Sequence, residues 1–129
     1  MVVATGRIYT SARVYAKLLG LSTPIIASNG AIIREEAFNN PLDTERTIYK
    51  DTLKMETIRE MIRLSHKYDL LCHFFTEDTI YAEELVNISL RYTEWNKYLG
   101  EEDQVKIKIV DDIESAFNQD KAEVLKAVV

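Results

Sequence analysis

The chain has 129 residues, 47% hydrophobic and 29% charged, with four glycines and two prolines; such a composition suits a globular domain with its own core and excludes a disordered, collagenous or low-complexity chain. Sixteen Lys and Arg stand against 21 Asp and Glu, a net charge of -5, so nucleic acid and anionic lipid repel the chain and are not expected partners. No apolar run is unbroken enough to span a membrane, no basic segment precedes an apolar one at the N-terminus, and the lone Cys72 has no internal disulfide partner, which together point to a reducing, cytoplasmic setting.

Met1 to Ala4 read as a buried strand, and so does the far end, where Val124, Leu125, Lys126, Ala127, Val128 and Val129 are β-prone with no polar tail. Strands so placed want neighbours that this sequence does not supply. The chain therefore reads as a piece of a longer protein, with unpaired edges that favour a homo-oligomer. After the first strand a helix is expected from about Thr10 to Leu19, with Val14 and Leu18 on one face, Thr10 or Ser11 as its cap and Gly20 as its end. Pro24 to Ala27 form a short strand that runs into Ser28, Asn29 and Gly30, and Asn-Gly between apolar runs signals a hairpin. Arg34 to Asp43, with Pro41, reads as a loop or hairpin and as the boundary region, leading to a β-prone segment at Arg46 to Lys50.

From about Leu53 to Tyr68, Ile58, Met61 and Ile62 recur at helical spacing with Glu56, Arg59, Glu60 and Arg63 on the other face. Leu70 to Phe75 and Thr79 to Ala82 read as two strands joined by Thr76, Glu77 and Asp78, and a helix follows from about Ser89 to Leu99, closed by Gly100. Val105 to Val110 is a half-exposed strand, with Val105, Ile107 and Ile109 facing one side and Lys106 and Lys108 the other. Ile113 to Phe117 form a short helix and Ala122 to Val129 the final strand. This order is α/β for the first ~30 residues and α+β for the rest, with helices on one face of a mixed or antiparallel sheet.

Two loops carry candidate chemistry. Val2 to Arg7 is a strand followed by Ala-Thr-Gly-Arg, at the carboxyl end of an expected parallel strand, where open α/β sheets bind ligands. Thr5 offers a hydroxyl, Gly6 lets the backbone approach an oxyanion closely, and Arg7 adds a charge-assisted contact. About 20 residues later, the length a helical crossover between parallel strands needs, Ile25 to Ala31 end a second strand in Ala-Ser-Asn-Gly-Ala. The two loops are then expected side by side.

Taken together, Val-Ala-Thr-Gly-Arg, the helix with Ala-Lys-Leu-Leu-Gly-Leu, and Thr-Pro-Ile-Ile-Ala-Ser-Asn-Gly-Ala resemble the Cof-type phosphatases of the haloacid dehalogenase-like (HAD) superfamily. The resemblance implies a partial Rossmann-like core of strand, helix and strand in residues 1–33 and an incomplete α+β cap domain in residues 34–129. It implies that Thr5, with Gly6 and Arg7 beside it, binds the transferring phosphoryl group, and that Asn29 and Gly30 lie near the substrate phosphate. It further implies a magnesium-dependent phosphatase acting on a small phosphorylated metabolite, such as a sugar phosphate, through an aspartyl-phosphate intermediate. The family's Asp-x-Asp-Gly-Thr nucleophile segment, its later lysine and its magnesium-binding acids have no counterpart here, so the resemblance places nucleophile and Mg2+ ligands outside this chain. Asp111 and Asp112 come too late in the chain to substitute for them.

His66 and His73 have no ligand-type partners at metal-binding spacing, and Cys72 reads as a small core residue. Tyr68, Phe74, Phe75, Tyr81, Tyr92, Trp95 and Tyr98 are expected to form core and sheet face, with a minority lining a substrate pocket. The alternative to the enzyme fragment is a non-catalytic module that binds a small molecule or a protein.

Overall fold

The computed structural model describes residues 1–36 and 45–129. Of the loop or hairpin expected from Arg34 to Asp43, the part from 37 onward, with Pro41, lies outside the described residues.

The chain opens with β1 (Val3–Ala4), α1 (Tyr9–Leu18) and β2 (Ile25–Ala27). β1 and β2 pair in parallel, Val3 opposite Ile25 and Ala4 opposite Ile26, and α1 is the crossover that such pairing needs. The helix packs Tyr9, Ala12 and Ala16 against Ile25, Ala27, Ile32 and, from far down the chain, Leu125. It begins at Tyr9 without a side-chain cap. Thr10, the expected cap, donates instead from both its backbone N–H and its hydroxyl to the Glu77 carbonyl, each at 3.2 Å, so a distant turn satisfies a donor that a cap would have served. Val14 is buried but Leu18 is 77% exposed; the buried stripe ends at Ala16, before the helix does. Gly20 closes the helix at φ +65°, with its N–H on Lys17 C=O and the Leu21 N–H on Ala16 C=O, the pair of bonds a left-handed residue after a helix makes.

β3 (Ile32–Glu35) returns antiparallel to β2, Ala27 opposite Ile32, and β4 (Arg46–Lys50) pairs antiparallel with β3. The first sheet therefore runs β1-β2-β3-β4, and the Asn-Gly turn makes the expected hairpin. Then come α2 (Met55–Lys67), β5 (His73–Phe75), β6 (Thr79–Ala82), α3 (Asn87–Asn96), β7 (Lys106–Ile109), α4 (Ile113–Asp120) and β8 (Lys126–Val128). The second sheet has the order β7-β6-β5-β8, parallel between β6 and β7 and antiparallel elsewhere.

The fold is thus mixed α/β with four helices and two mixed sheets, and the second sheet departs from expectation in one respect. Its helices cover both faces. Ile58 of α2 and Ile113 and Phe117 of α4 pack with Phe74 and Tyr81, whereas Ile88 and Tyr92 of α3 pack with Phe75, Ile80 and Val105. The parallel β6–β7 pair requires a crossover, and that crossover carries α3 over the face opposite α2 and α4. Two covered faces explain why every residue of β5 and β6 is buried. The outer strands are less enclosed than the sequence implied: Val2 is 55% and Val129 69% exposed, because β1 bonds only to β2 and β8 only to β5. No helix among the described residues is long and apolar enough to cross a membrane.

Between the sheets lies Glu36, whose side chain is almost wholly buried; Arg13 Nε donates to its Oε2 at 2.9 Å while its Oε1 has no hydrogen-bond partner among the described residues. Burial, followed by the carboxylates of Glu45 and Glu77, raises its pKa from 4.5 to about 7. A carboxyl raised on folding stabilises the fold below its unfolded pKa, and that contribution is lost as pH rises through the folded value. Between about pH 4.5 and about pH 7 the chain should therefore lose on the order of 1–3 kcal/mol at this site, the arginines offsetting part of the cost. Urea midpoints at about pH 5 and about pH 8 should differ more for the wild type than for Glu36→Gln; an equal difference in the two proteins refutes the assignment.

Candidate functional site

The two loops singled out in the sequence meet. Both leave the carboxyl ends of the parallel strands β1 and β2, and backbone hydrogen bonds lock them together: Thr5 N–H to Ile26 C=O at 2.9 Å, Ser28 N–H to Arg7 C=O at 2.9 Å, and Asn29 N–H to Thr5 C=O at 3.3 Å. The Arg7 N–H donates to Thr5 Oγ1 at 3.2 Å, which leaves the Thr5 hydroxyl proton free to be donated elsewhere. Gly6 lets the Asn29 side chain come close: a Cβ there would lie 2.5 Å from Asn29 Oδ1, so a larger residue would push that amide aside.

Ser28, Asn29 and Gly30 all have positive φ, at 51°, 60° and 93°. Consecutive left-handed residues are costly for anything but glycine, and here they fold the loop back against Gly6. The Ser28 hydroxyl is buried with no partner among the described residues. Thr5, Gly6, Arg7, Asn29 and Gly30 thus share one double loop, with the Thr5 hydroxyl, the Gly6 N–H and the exposed Asn29 amide unengaged as donors among the described residues, while the Arg7 guanidinium lies over the Tyr15 ring, 4.9 Å from its centroid.

The sequence reading missed two residues here. The β5–β8 register sets Phe75 opposite Lys126, and Lys126 reaches across to donate from Nζ to the Gly6 carbonyl. Its ammonium also lies 4.5 Å from the centroid of the Phe75 ring, and burial lowers its pKa. Gly6, Arg7, Phe75, Ile88, Arg91, Tyr92 and Lys126 line a cleft of about 350 Å³. A second cleft, of about 500 Å³, opens on the other side of Lys126 and holds Asn29 and Gly30. Lys126 was visible as the one charge in an apolar terminal run, but Arg91 carries no local signal.

Other candidates have structural duties. Asp112 caps α4, accepting from the Ser115 N–H at 2.9 Å and the Ser115 hydroxyl at 2.7 Å. His66 is exposed and pairs with Glu83 at 2.7 Å. His73 is buried against Val86 C=O and Ser89 Oγ, both at 3.2 Å, and burial lowers its pKa. Cys72 is buried in the α2–α4 core, its thiol pushed up to about 11 first by burial and then by Glu83. Phe74, Phe75 and Tyr81 are core residues as expected, whereas Tyr68 and Tyr98 are exposed. Among the described residues no three His, Cys, Asp or Glu converge to hold a metal ion, and the double loop itself contains no carboxylate. The residues present do not fit Mg2+.

A family model described as haloacid dehalogenase-like hydrolase matches residues 1–129. A curated relative, the 5-amino-6-(5-phospho-D-ribitylamino)uracil phosphatase YitU of Bacillus subtilis (strain 168), is 24% identical over 111 residues, which cover 78% of this chain and 39% of that protein. Among solved structures, a haloacid dehalogenase-like hydrolase from B. subtilis superposes with a TM-score of 0.64 at 18% identity, over 95% of this chain and 46% of the other. A haloacid dehalogenase-like hydrolase from Bacteroides thetaiotaomicron gives 0.63 at 16% identity, over 88% and 40%. A sugar phosphatase of HAD subclass IIB gives 0.60 at 18% identity, over 98% and 43%. The chain thus spans less than half the length of these proteins.

Proposed function

We propose, since the chain belongs to the haloacid dehalogenase-like hydrolase family, that it forms the phosphate cradle and part of the substrate-covering cap of a phosphatase acting on a small phosphorylated metabolite. The observation that carries this reading is the hydrogen-bonded contact between the Thr5–Gly6–Arg7 and Ser28–Asn29–Gly30 loops. Two strand ends bring the Thr5 hydroxyl, the Gly6 N–H and the Asn29 side chain onto one hydrogen-bonded double loop. Such an arrangement suits the oxygens of a phosphate. Residues 1–33 act as core and the later residues as cap in this reading. A sugar phosphate is a fitting substrate class, given the sugar phosphatase among the structural relatives.

In the proposed reaction Thr5 donates its hydroxyl to a phosphoryl oxygen, Gly6 donates its N–H to another, and the Asn29 amide holds the substrate side of the group. An aspartate outside these residues attacks phosphorus as the ester P–O bond breaks and the alcohol leaves with a proton; water then attacks the aspartyl-phosphate at phosphorus, releasing orthophosphate and the free aspartate. Magnesium ligands likewise belong outside these residues, and no step here runs through the metal. A cytoplasmic setting accords with the buried free thiol of Cys72.

Titration of the chain with orthophosphate tests the cradle directly. The backbone amide resonances of Gly6 and Asn29 should shift together, and Thr5→Ala should weaken binding roughly tenfold to hundredfold, the worth of one hydrogen bond to a charged group. Binding that leaves both amides unmoved, or that Thr5→Ala does not weaken, rules the cradle out.

A further inference from the structure

Most cations of this net-acidic chain face carboxylates, as Arg13, Arg34, Lys50, Arg59, Arg63, Lys106 and Lys108 do. Arg7, Arg91 and Lys126 do not. All three line the cleft between the Gly6 turn and α3, none has an ion pair among the described residues, and no acidic residue lines the cleft with them. The rest of the wall is Phe75, Ile88 and Tyr92.

Positive charges collected on an apolar wall repel one another in a medium of lowered dielectric. No acidic residue lines the cleft to neutralise them. The Lys126 ammonium is held in place by the Gly6 carbonyl and the Phe75 ring, and its lowered pKa reflects a cation already stripped of part of its water. An arriving anion gains most from such a group, because little desolvation of the cation remains to oppose the contact.

We infer that this cleft binds a second acidic group carried by the same phosphorylated substrate, with Arg91 and Lys126 as its contacts and Phe75 and Tyr92 packing on the carbon skeleton. The inference rests on the reading of Thr5, Gly6 and Asn29 as the phosphate cradle. A cleft of about 350 Å³ holds a compact metabolite. Since Gly6 lines the cleft and also belongs to the double loop, a short chain of atoms bridges the two positions.

Glycerol 3-phosphate and 3-phosphoglycerate make a matched pair of probes, since the second replaces a hydroxymethyl group with a carboxylate. The chain should bind 3-phosphoglycerate about tenfold more tightly, consistent with one charge-assisted contact, and the preference should shrink as salt is raised. Arg91→Gln should abolish the preference, bringing 3-phosphoglycerate down to the affinity of glycerol 3-phosphate. Arg91 is exposed and makes no hydrogen bond or ion pair among the described residues, so that variant should fold; an unchanged amide spectrum outside the cleft checks it. Equal affinity for the two probes, or a preference that survives Arg91→Gln, overturns the second subsite. Thr5→Ala separates the two readings: it should weaken both probes alike, and if it weakens neither the phosphate cradle itself is wrong.

Discussion

Thr5→Ala, made in a protein extended on both sides to the length of its relatives, is expected to cut turnover of small phosphate monoesters roughly 10²-fold, with little change in stability. Thr5 is half-buried and its hydroxyl accepts one bond, from the Arg7 N–H at 3.2 Å. Losing it costs the turn little. In the transition state the same hydroxyl faces developing charge on the phosphoryl oxygens, where a fixed donor is worth far more than in water. The 129-residue chain alone should hydrolyse nothing, because the double loop contains no carboxylate to attack phosphorus. Hydrolysis by the isolated chain would move the chemistry elsewhere. An extended protein that binds phosphate but turns over no ester would instead favour the non-catalytic binding module.

The sequence carried the loops well and the cleft poorly, for a physical reason. Ala-Thr-Gly-Arg and Ala-Ser-Asn-Gly are local signals: each ends an apolar strand, and the separation between them matches one crossover helix, so their adjacency follows from chain geometry. Strand and helix positions were legible on the same grounds, from periodicity and turn residues. The convergence of Arg91 and Lys126 on Gly6 depends instead on two long-range facts. One is the β5–β8 register that sets Phe75 opposite Lys126; the other is the parallel β6–β7 pairing that sends α3 across the second face of the sheet. Neither leaves a periodic trace. The same blindness put Tyr68 and Tyr98 with the core aromatics, although both lie exposed in the structure.

The largest loss of stability should come from Phe117→Ala, about 3–5 kcal/mol. Phe117 is 2% exposed and its ring meets Phe74 edge-on at 5.6 Å and Tyr81 at 4.9 Å, each such pair adding about 0.5–1.5 kcal/mol beyond burial. Removing it opens a cavity bounded by β5 and β6, which are buried on both faces and cannot collapse freely into the gap. Against a total stability of about 5–15 kcal/mol for a domain, a loss of this size should drop the urea midpoint sharply and leave part of the chain unfolded without denaturant. The effect should reach the proposed site as well. Phe74 and Phe75 are consecutive on β5, one facing Phe117 and the other facing Lys126, so loosening the first releases the strand that positions the second. Tyr68→Ala, on a side chain 60% exposed, should change stability by less than about 0.5 kcal/mol. If the two variants unfold at similar urea concentrations, the α2–α4 core does not hold the second sheet, and the placement of Lys126 must depend on something else.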